Sequence, residues 1–198
     1  DLHSFPTRRS SDLEPDSWLD QFTNVKTAID VGTNKGEFAK LLASKNISTI
    51  ATDFDAYCIN DLYNSSKEKK EKNICPLIVD VTVPSPAIGL NNQERDSFIS
   101  RTNTDLVMAL ALIHHLAIGK NIPFEKVAEL LAQLGKYLII EFVPKEDEKT
   151  QYLLKSKRDV YTNYSQEEFI KKFSLLYSVI EKKEIAGHGR VLFLMIKN

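Results

Sequence analysis

From Lys26 onward, short apolar runs rich in β-branched residues alternate with stretches in which apolar residues recur every three or four positions. The first pattern suits strands and the second suits helices with one buried stripe, and their alternation is that of a parallel sheet with crossover helices. Residues 27–31 read as the first strand. Phe38, Leu41 and Leu42 place a helix over residues 36–45. A second strand over 48–52 leads into an amphipathic helix over about 56–70. A third strand covers 74–79, and Pro76, which has no N–H to donate to a ladder, points to a sheet edge or a first-residue position. No apolar period survives over residues 80–101, where Pro84, Pro86, Gly89, Asn91 and Asn92 cluster. Connections this long are usually functional or disordered.

Residues 105–113, DLVMALALI, are the most apolar stretch and predict a fourth strand buried on both faces, ending at His114 and His115. Phe124, Val127, Leu130, Leu131 and Leu134 mark a helix that opens near Pro123 and closes at Gly135. A fifth strand over 137–143 is stopped by Pro144. A charged helix begins at about Glu146 and another at Ser165, whose spacing to Glu168 fits a capping box. Residues 175–185 and 190–196 are strand-like and too closely joined for a helix between them, so they predict an antiparallel hairpin.

The 198 residues, 42% hydrophobic and 27% charged, suit one globular domain with a sizeable core. A net charge of −1 gives no general attraction to nucleic acid or anionic membrane, and the lysine run over 67–72 reads as a solvated helix face. Cys58 and Cys75 show neither a disulfide framework nor metal-ligand spacing. With four histidines equally without zinc spacing and no carboxylate cluster for magnesium, no metal site is expected. No apolar stretch reaches the roughly 18 residues of a membrane span and no signal-peptide pattern appears, so the expected location is the cytoplasm. Residues 1–13, DLHSFPTRRSSDL, have no structural period. They resemble one reading frame of a sequencing adapter joined to a gene fragment, with a disordered native tail as the alternative, and residues 14–198 are then one domain of an N-terminally truncated protein.

The sharpest chemical signal is an apolar strand that ends in Asp30-Val31-Gly32-Thr33-Asn34-Lys35-Gly36 and opens a helix. Glycines suit such a turn because the backbone must approach a ligand closely and take positive φ. A dinucleotide fingerprint needs three glycines facing a pyrophosphate, and only Gly32 and Gly36 are present, so a nicotinamide or flavin reading weakens. The stretch resembles the first motif of class I S-adenosylmethionine-dependent methyltransferases, D/E-x-G-x-N/G-x-G, at Asp30, Gly32, Asn34 and Gly36. The resemblance implies a seven-stranded, mostly parallel sheet of order 3-2-1-4-5-7-6 with strand 7 antiparallel, in a Rossmann-like three-layer α/β sandwich. It also implies that Asp30 supports the turn and the methionine ammonium while Gly32 and Gly36 lie against the ligand. The segments VDVTVPSPAIG, ALALIHHLAIGKNIP and IIEFVPKED look like a branch labelled nodulation-type proteins, which implies no particular acceptor.

Asp53, just past the second strand, is placed to accept hydrogen bonds from both hydroxyls of a ribose, with Asp55 as competitor or as cap of the next helix. The resemblance further implies that Asp80 holds an adenine amino group and the Val81 N–H a ring nitrogen; capping the Thr82 loop is the other role open to Asp80. His114 and His115, at the carboxyl end of the central strand, are candidates to take the acceptor's proton, and on an extended strand only one of them enters the pocket. Glu141, Lys145 and Asp147 either bind substrate or cap the next helix. The function expected is methyl transfer from S-adenosylmethionine to an unidentified acceptor, a small molecule being favoured. A non-catalytic binding module and a nucleotide-dependent oxidoreductase are the alternatives.

Overall fold

The computed structural model describes residues 15–198 apart from 156, 158 and 188. The segment 1–13, expected to be a leader, lies outside the described residues. Seven strands form one sheet: β1 (Thr27–Val31), β2 (Ser48–Asp53), β3 (Ile74–Ile78), β4 (Thr104–Ala109), β5 (Gly135–Phe142), β6 (Tyr177–Ile185) and β7 (Arg190–Lys197). Their order is β3-β2-β1-β4-β5-β7-β6, as expected. The first five strands pair in parallel, while β7 runs antiparallel to both β5 and β6. The parallel pairs need crossover helices, and these are α2 (Glu37–Ser44), α3 (Ala56–Glu68) and α5 (Phe124–Ala132). Around them lie α1 (Asp16–Leu19), α4 (Phe98–Arg101), α6 (Glu148–Leu154) and α7 (Gln166–Phe173). Pro76 sits in the edge strand β3, where its missing N–H costs no ladder bond.

Strand side chains alternate between two cores, as the pleat requires. Ile29, Val107, Leu138, Ile140, Phe142 and Phe193 pack against α5 and α7, with Phe169 and Phe173 completing an aromatic cluster. On the opposite face, Ala28, Leu106, Met108, Ile139 and Leu192 pack under Leu42 of α2 and Trp18 of α1. Trp18 is fully buried, so the single turn of α1 seals that face, and Phe22 continues the cover onto Tyr137 with ring centroids 4.9 Å apart. The sheet is therefore buried on both sides, and its carboxyl edge is where open α/β sheets bind their ligands.

The fourth strand is shorter than its sequence suggests, ending at Ala109 rather than at residue 113. Its ladder to β1 stops at Met108 and its ladder to β5 at Ala109. Leu110 to Ile113 are as apolar as a strand, but they leave the sheet through a turn with Ala111 at φ 49. Among the described residues no helix is long and apolar enough to cross a membrane.

Candidate functional site

β1 delivers its last residues to a turn in which Gly32 (φ 76), Asn34 (φ 51) and Gly36 (φ 76) are all left-handed, a conformation glycine and asparagine accept most readily. The Gly32 and Thr33 N–H groups both donate to the Thr52 carbonyl, at 2.8 and 2.9 Å, which bends the turn toward β2. Asp30 is buried, and its carboxylate accepts a 2.5 Å hydrogen bond from Thr33 Oγ1. Burial pushes its pKa up to about 7, with the Thr33 bond opposing and the Asp53 charge adding to the rise. The two glycines are not equivalent. A Cβ at Gly36 would lie 2.4 Å from Leu62 Cδ1, so this glycine lets α2 start close against α3; a Cβ at Gly32 would lie 3.2 Å from Leu112 Cδ1.

At the tip of β2, Asp53 Oδ2 accepts the Asn34 N–H at 2.8 Å and Oδ1 accepts the Asp55 N–H at 2.9 Å. One carboxylate thus ties the glycine turn to the start of α3. Asp55 caps α3 by accepting the Tyr57 N–H at 2.8 Å. Phe54, between the two acids, is 67% exposed, an aromatic face that the sequence reading passed over. The Val79 N–H donates to the Asp53 carbonyl at 2.9 Å and brings the end of β3 alongside. Asp80 follows. Its Oδ1 accepts the Thr82 N–H at 2.9 Å and the Thr82 hydroxyl at 2.6 Å, and its Oδ2 pairs with Lys120 Nζ at 3.3 Å. Partial burial works to raise this carboxyl, but the Thr82 bonds and Lys120 outweigh it and hold it below the usual range. The loop-capping role is the one Asp80 performs here. Val81 is buried in the core beside it.

Opposite these tips, the chain leaving β4 departs most from expectation. His114 and His115 do not lie on an extended strand with side chains on opposite faces; His114 is helical, and His115 begins a single π-helical turn over His115–Gly119. Their rings lie together, centroids 4.2 Å apart. His114 is fully buried, and neither ring nitrogen has a partner among the described residues. Burial, with the charges of His115, Arg190 and Lys149, holds it well below the ordinary imidazole value. His115 is exposed as a residue while its ring is crowded. That crowding and the Lys149 charge lower its pKa, with the Asp53 carboxylate opposing them.

Ala111, in the bend before the histidines, occupies a conformation that costs a non-glycine residue on the order of 1 kcal/mol. Its N–H donates to Glu141 Oε2 at 2.7 Å. Glu141 is fully buried in β5, and its other oxygen accepts from Arg190 Nη1 at 2.9 Å. Arg190 is 3% exposed and turns its remaining edge to Asp147, donating from Nε at 2.6 Å and Nη2 at 2.8 Å. Asp147 also caps α6 by accepting the Lys149 N–H at 2.9 Å. Capping is thus one role of Asp147, while Lys145 pairs with Asp159 at 2.8 Å and donates to the Tyr161 carbonyl. The sequence reading missed Arg190. Its signal was available: Glu141 lies within the apolar run 138–143 and Arg190 opens the apolar run 191–196, and buried charges need partners. Among the described residues no group of three His, Cys, Asp or Glu is placed to hold a metal ion.

No family model matches the chain. It is 37% identical over 169 residues to the nodulation protein NoeA of Rhizobium meliloti, a match covering 85% of this chain and 35% of NoeA. Among solved structures, the magnesium protoporphyrin IX methyltransferase ChlM of Synechocystis, solved with bound SAH, superposes with a TM-score of 0.66 at 13% identity, covering all of this chain and 91% of ChlM. A SAM-dependent methyltransferase of Aquifex aeolicus gives 0.60 at 19% identity, covering 92% and 89% of the two chains. The bifunctional kinase-methyltransferase WbdD gives 0.61 at 18%, covering 92% of this chain and 37% of WbdD. The chain spans about a third of the length of NoeA. The chain is thus a homologue of NoeA, and its sheet is built on the fold of class I S-adenosylmethionine-dependent methyltransferases.

Proposed function

We propose that this chain binds S-adenosylmethionine at the tips of β1, β2 and β3 and transfers its methyl group to a small-molecule acceptor presented from the β4 and β5 side. The observation that carries the reading is the bond from the Asn34 N–H to Asp53. It fixes a carboxylate beside a left-handed glycine turn, with the exposed ring of Phe54 adjoining. This set fits an adenosyl ligand. Asp53 keeps lone pairs for two ribose hydroxyls, Phe54 offers a face to a base, and Gly32 lets the backbone approach without a side chain. Asp30 supports the turn through Thr33. Asp80 stands at the same edge, and accepting an adenine amino group there requires it to share or exchange Lys120.

When bound, the cofactor supplies an already activated methyl group, so the protein's task is chiefly proximity and orientation. His115 suits the acceptor side, because its lowered pKa leaves a neutral imidazole at neutral pH that can take a proton from a hydroxyl or amine. A binding module without transfer is the second reading, favoured by the sealing of His114 from solvent. Titration calorimetry with S-adenosylmethionine, S-adenosylhomocysteine and NAD tests the binding. The first two are expected to bind and NAD not, and Asp53→Ala is expected to weaken S-adenosylmethionine more than tenfold. Unchanged affinity in that variant would rule out its ribose role. Methylated product from candidate acceptors separates enzyme from module.

A further inference from the structure

Glu141 is surrounded in sequence by Ile140, Phe142 and Val143, all buried, so an apolar residue would fill its place without the cost of burying a charge. Arg190 does not require it as sole partner, since Asp147 already takes two of the guanidinium donors. What Glu141 alone provides is an acceptor for the Ala111 N–H. The β4–β5 ladder ends at Ala109 and Ile140, so Glu141 is the next residue of β5, and its side chain takes over as the chain leaves the sheet. The left-handed turn at Ala111 persists only if its surroundings over-determine it, and this bond is one such restraint. One residue on, Leu112 reaches back over β1, its Cδ1 3.2 Å from where a Gly32 Cβ would stand. A ligand laid against the Cβ side of Gly32 therefore meets Leu112 as well.

We infer that Glu141 is a positioning residue of the cofactor site: it holds Ala111 in the turn, and through the turn it sets Leu112 as the wall over Gly32. The inference rests on the methyl-donor reading above. Arg190 is the junction of the arrangement, because the same guanidinium fixes Asp147, the cap of α6, so the cofactor wall and the acceptor-side helix share one anchor. The test compares the wild-type chain with Glu141→Leu, Glu141→Gln and Leu112→Ala. It combines calorimetric titration of S-adenosylhomocysteine, well below the lowest Tm, with hydrogen exchange at the Ala111 amide. Glu141→Leu is expected to weaken binding at least tenfold and to speed Ala111 exchange at least tenfold. Glu141→Gln keeps an oxygen for that N–H and is expected to stay within threefold of wild type in both. Both variants remove the charge facing Arg190, so a purely stabilising role would affect them alike. Leu112→Ala is expected to change affinity at least threefold with Ala111 protection intact. Equal binding by the two Glu141 variants, or unaltered Ala111 exchange in Glu141→Leu, would overturn the inference. Failure of the wild-type chain to bind S-adenosylhomocysteine would instead overturn the methyl-donor reading and with it the cofactor part of the inference, while the exchange data would still decide whether Glu141 holds the turn.

Discussion

The two halves of the sheet's carboxyl edge are built on different principles. Over β1, β2 and β3, Asp30 is buried, but Asp53 and Asp80 at the strand tips are half-exposed, and most of the bonds that tie these acids are short-range: Thr33 to Asp30 three residues away, Asp55 to Asp53 two away and Thr82 to Asp80 two away, with Asn34 and Lys120 joining from farther along the chain. Over β4, β5 and β7 the polar groups are buried and joined across long stretches of chain, Arg190 reaching residues 43 and 49 positions earlier. The first half leaves lone pairs for a ligand. The second spends its charges on itself, and so serves as a scaffold that aims a turn and caps a helix.

Breaking the scaffold gives the largest expected effect. Arg190→Met strands two buried carboxylates, and removing one partner of a buried ion pair typically costs about 3–5 kcal/mol. Thermal unfolding is expected to show a large loss of Tm, and a shift of only a degree or two would mean that water already satisfies the network. Next in size is Asp30. In the folded chain it keeps its proton up to about pH 7, whereas an unfolded aspartate releases it near 3.8, so stability is full at low pH and falls as pH rises through that window. Asp30→Asn keeps an acceptor for Thr33 without the buried charge. It is expected to stabilise the chain by on the order of 2 kcal/mol at pH 8 and hardly at all near pH 4. A gain of equal size at both pH values would show that the ionised carboxylate is not the source.

Smaller effects sharpen the contrast between the halves. By NMR titration His115 is expected to titrate below an ordinary histidine and His114 further below. Lys149→Met should move both upward, because its charge contributes to both depressions; a downward move would contradict the field described here. The smallest effect on stability belongs to Lys120→Ala. The Lys120–Asp80 pair is exposed on the lysine side, and pairs of that kind contribute about 0–1 kcal/mol. Affinity for S-adenosylhomocysteine is expected to rise slightly as Asp80 loses its competitor, and a fall would assign Lys120 itself to the ligand.

This division also explains what could be read from the sequence. The succession of strands and helices, the hairpin, the edge position of Pro76 and the turn at Gly32 follow from local patterns of apolar residues and backbone preference, whereas the strand order followed from the resemblance to the methyltransferase sheet. The end of β4 did not, because Leu110, Leu112 and Ile113 are apolar enough for a strand. They leave the sheet at a left-handed turn whose Ala111 N–H bonds to Glu141, thirty positions on, a partner that no local pattern reveals. The histidines were misplaced for the same reason. Asp80 was legible as a residue at a strand tip, but its tie to Lys120, forty positions on, was not.

The central claim is that the tips of β1, β2 and β3 together hold an adenosyl ligand. A crystal structure of the chain with S-adenosylhomocysteine tests it most directly. The account predicts the ribose hydroxyls within hydrogen-bond distance of the Asp53 carboxylate and the ligand's amino-acid end along the Gly32 turn. A ligand seated elsewhere, with Asp53 still bonded only to Asn34 and Asp55, would contradict it.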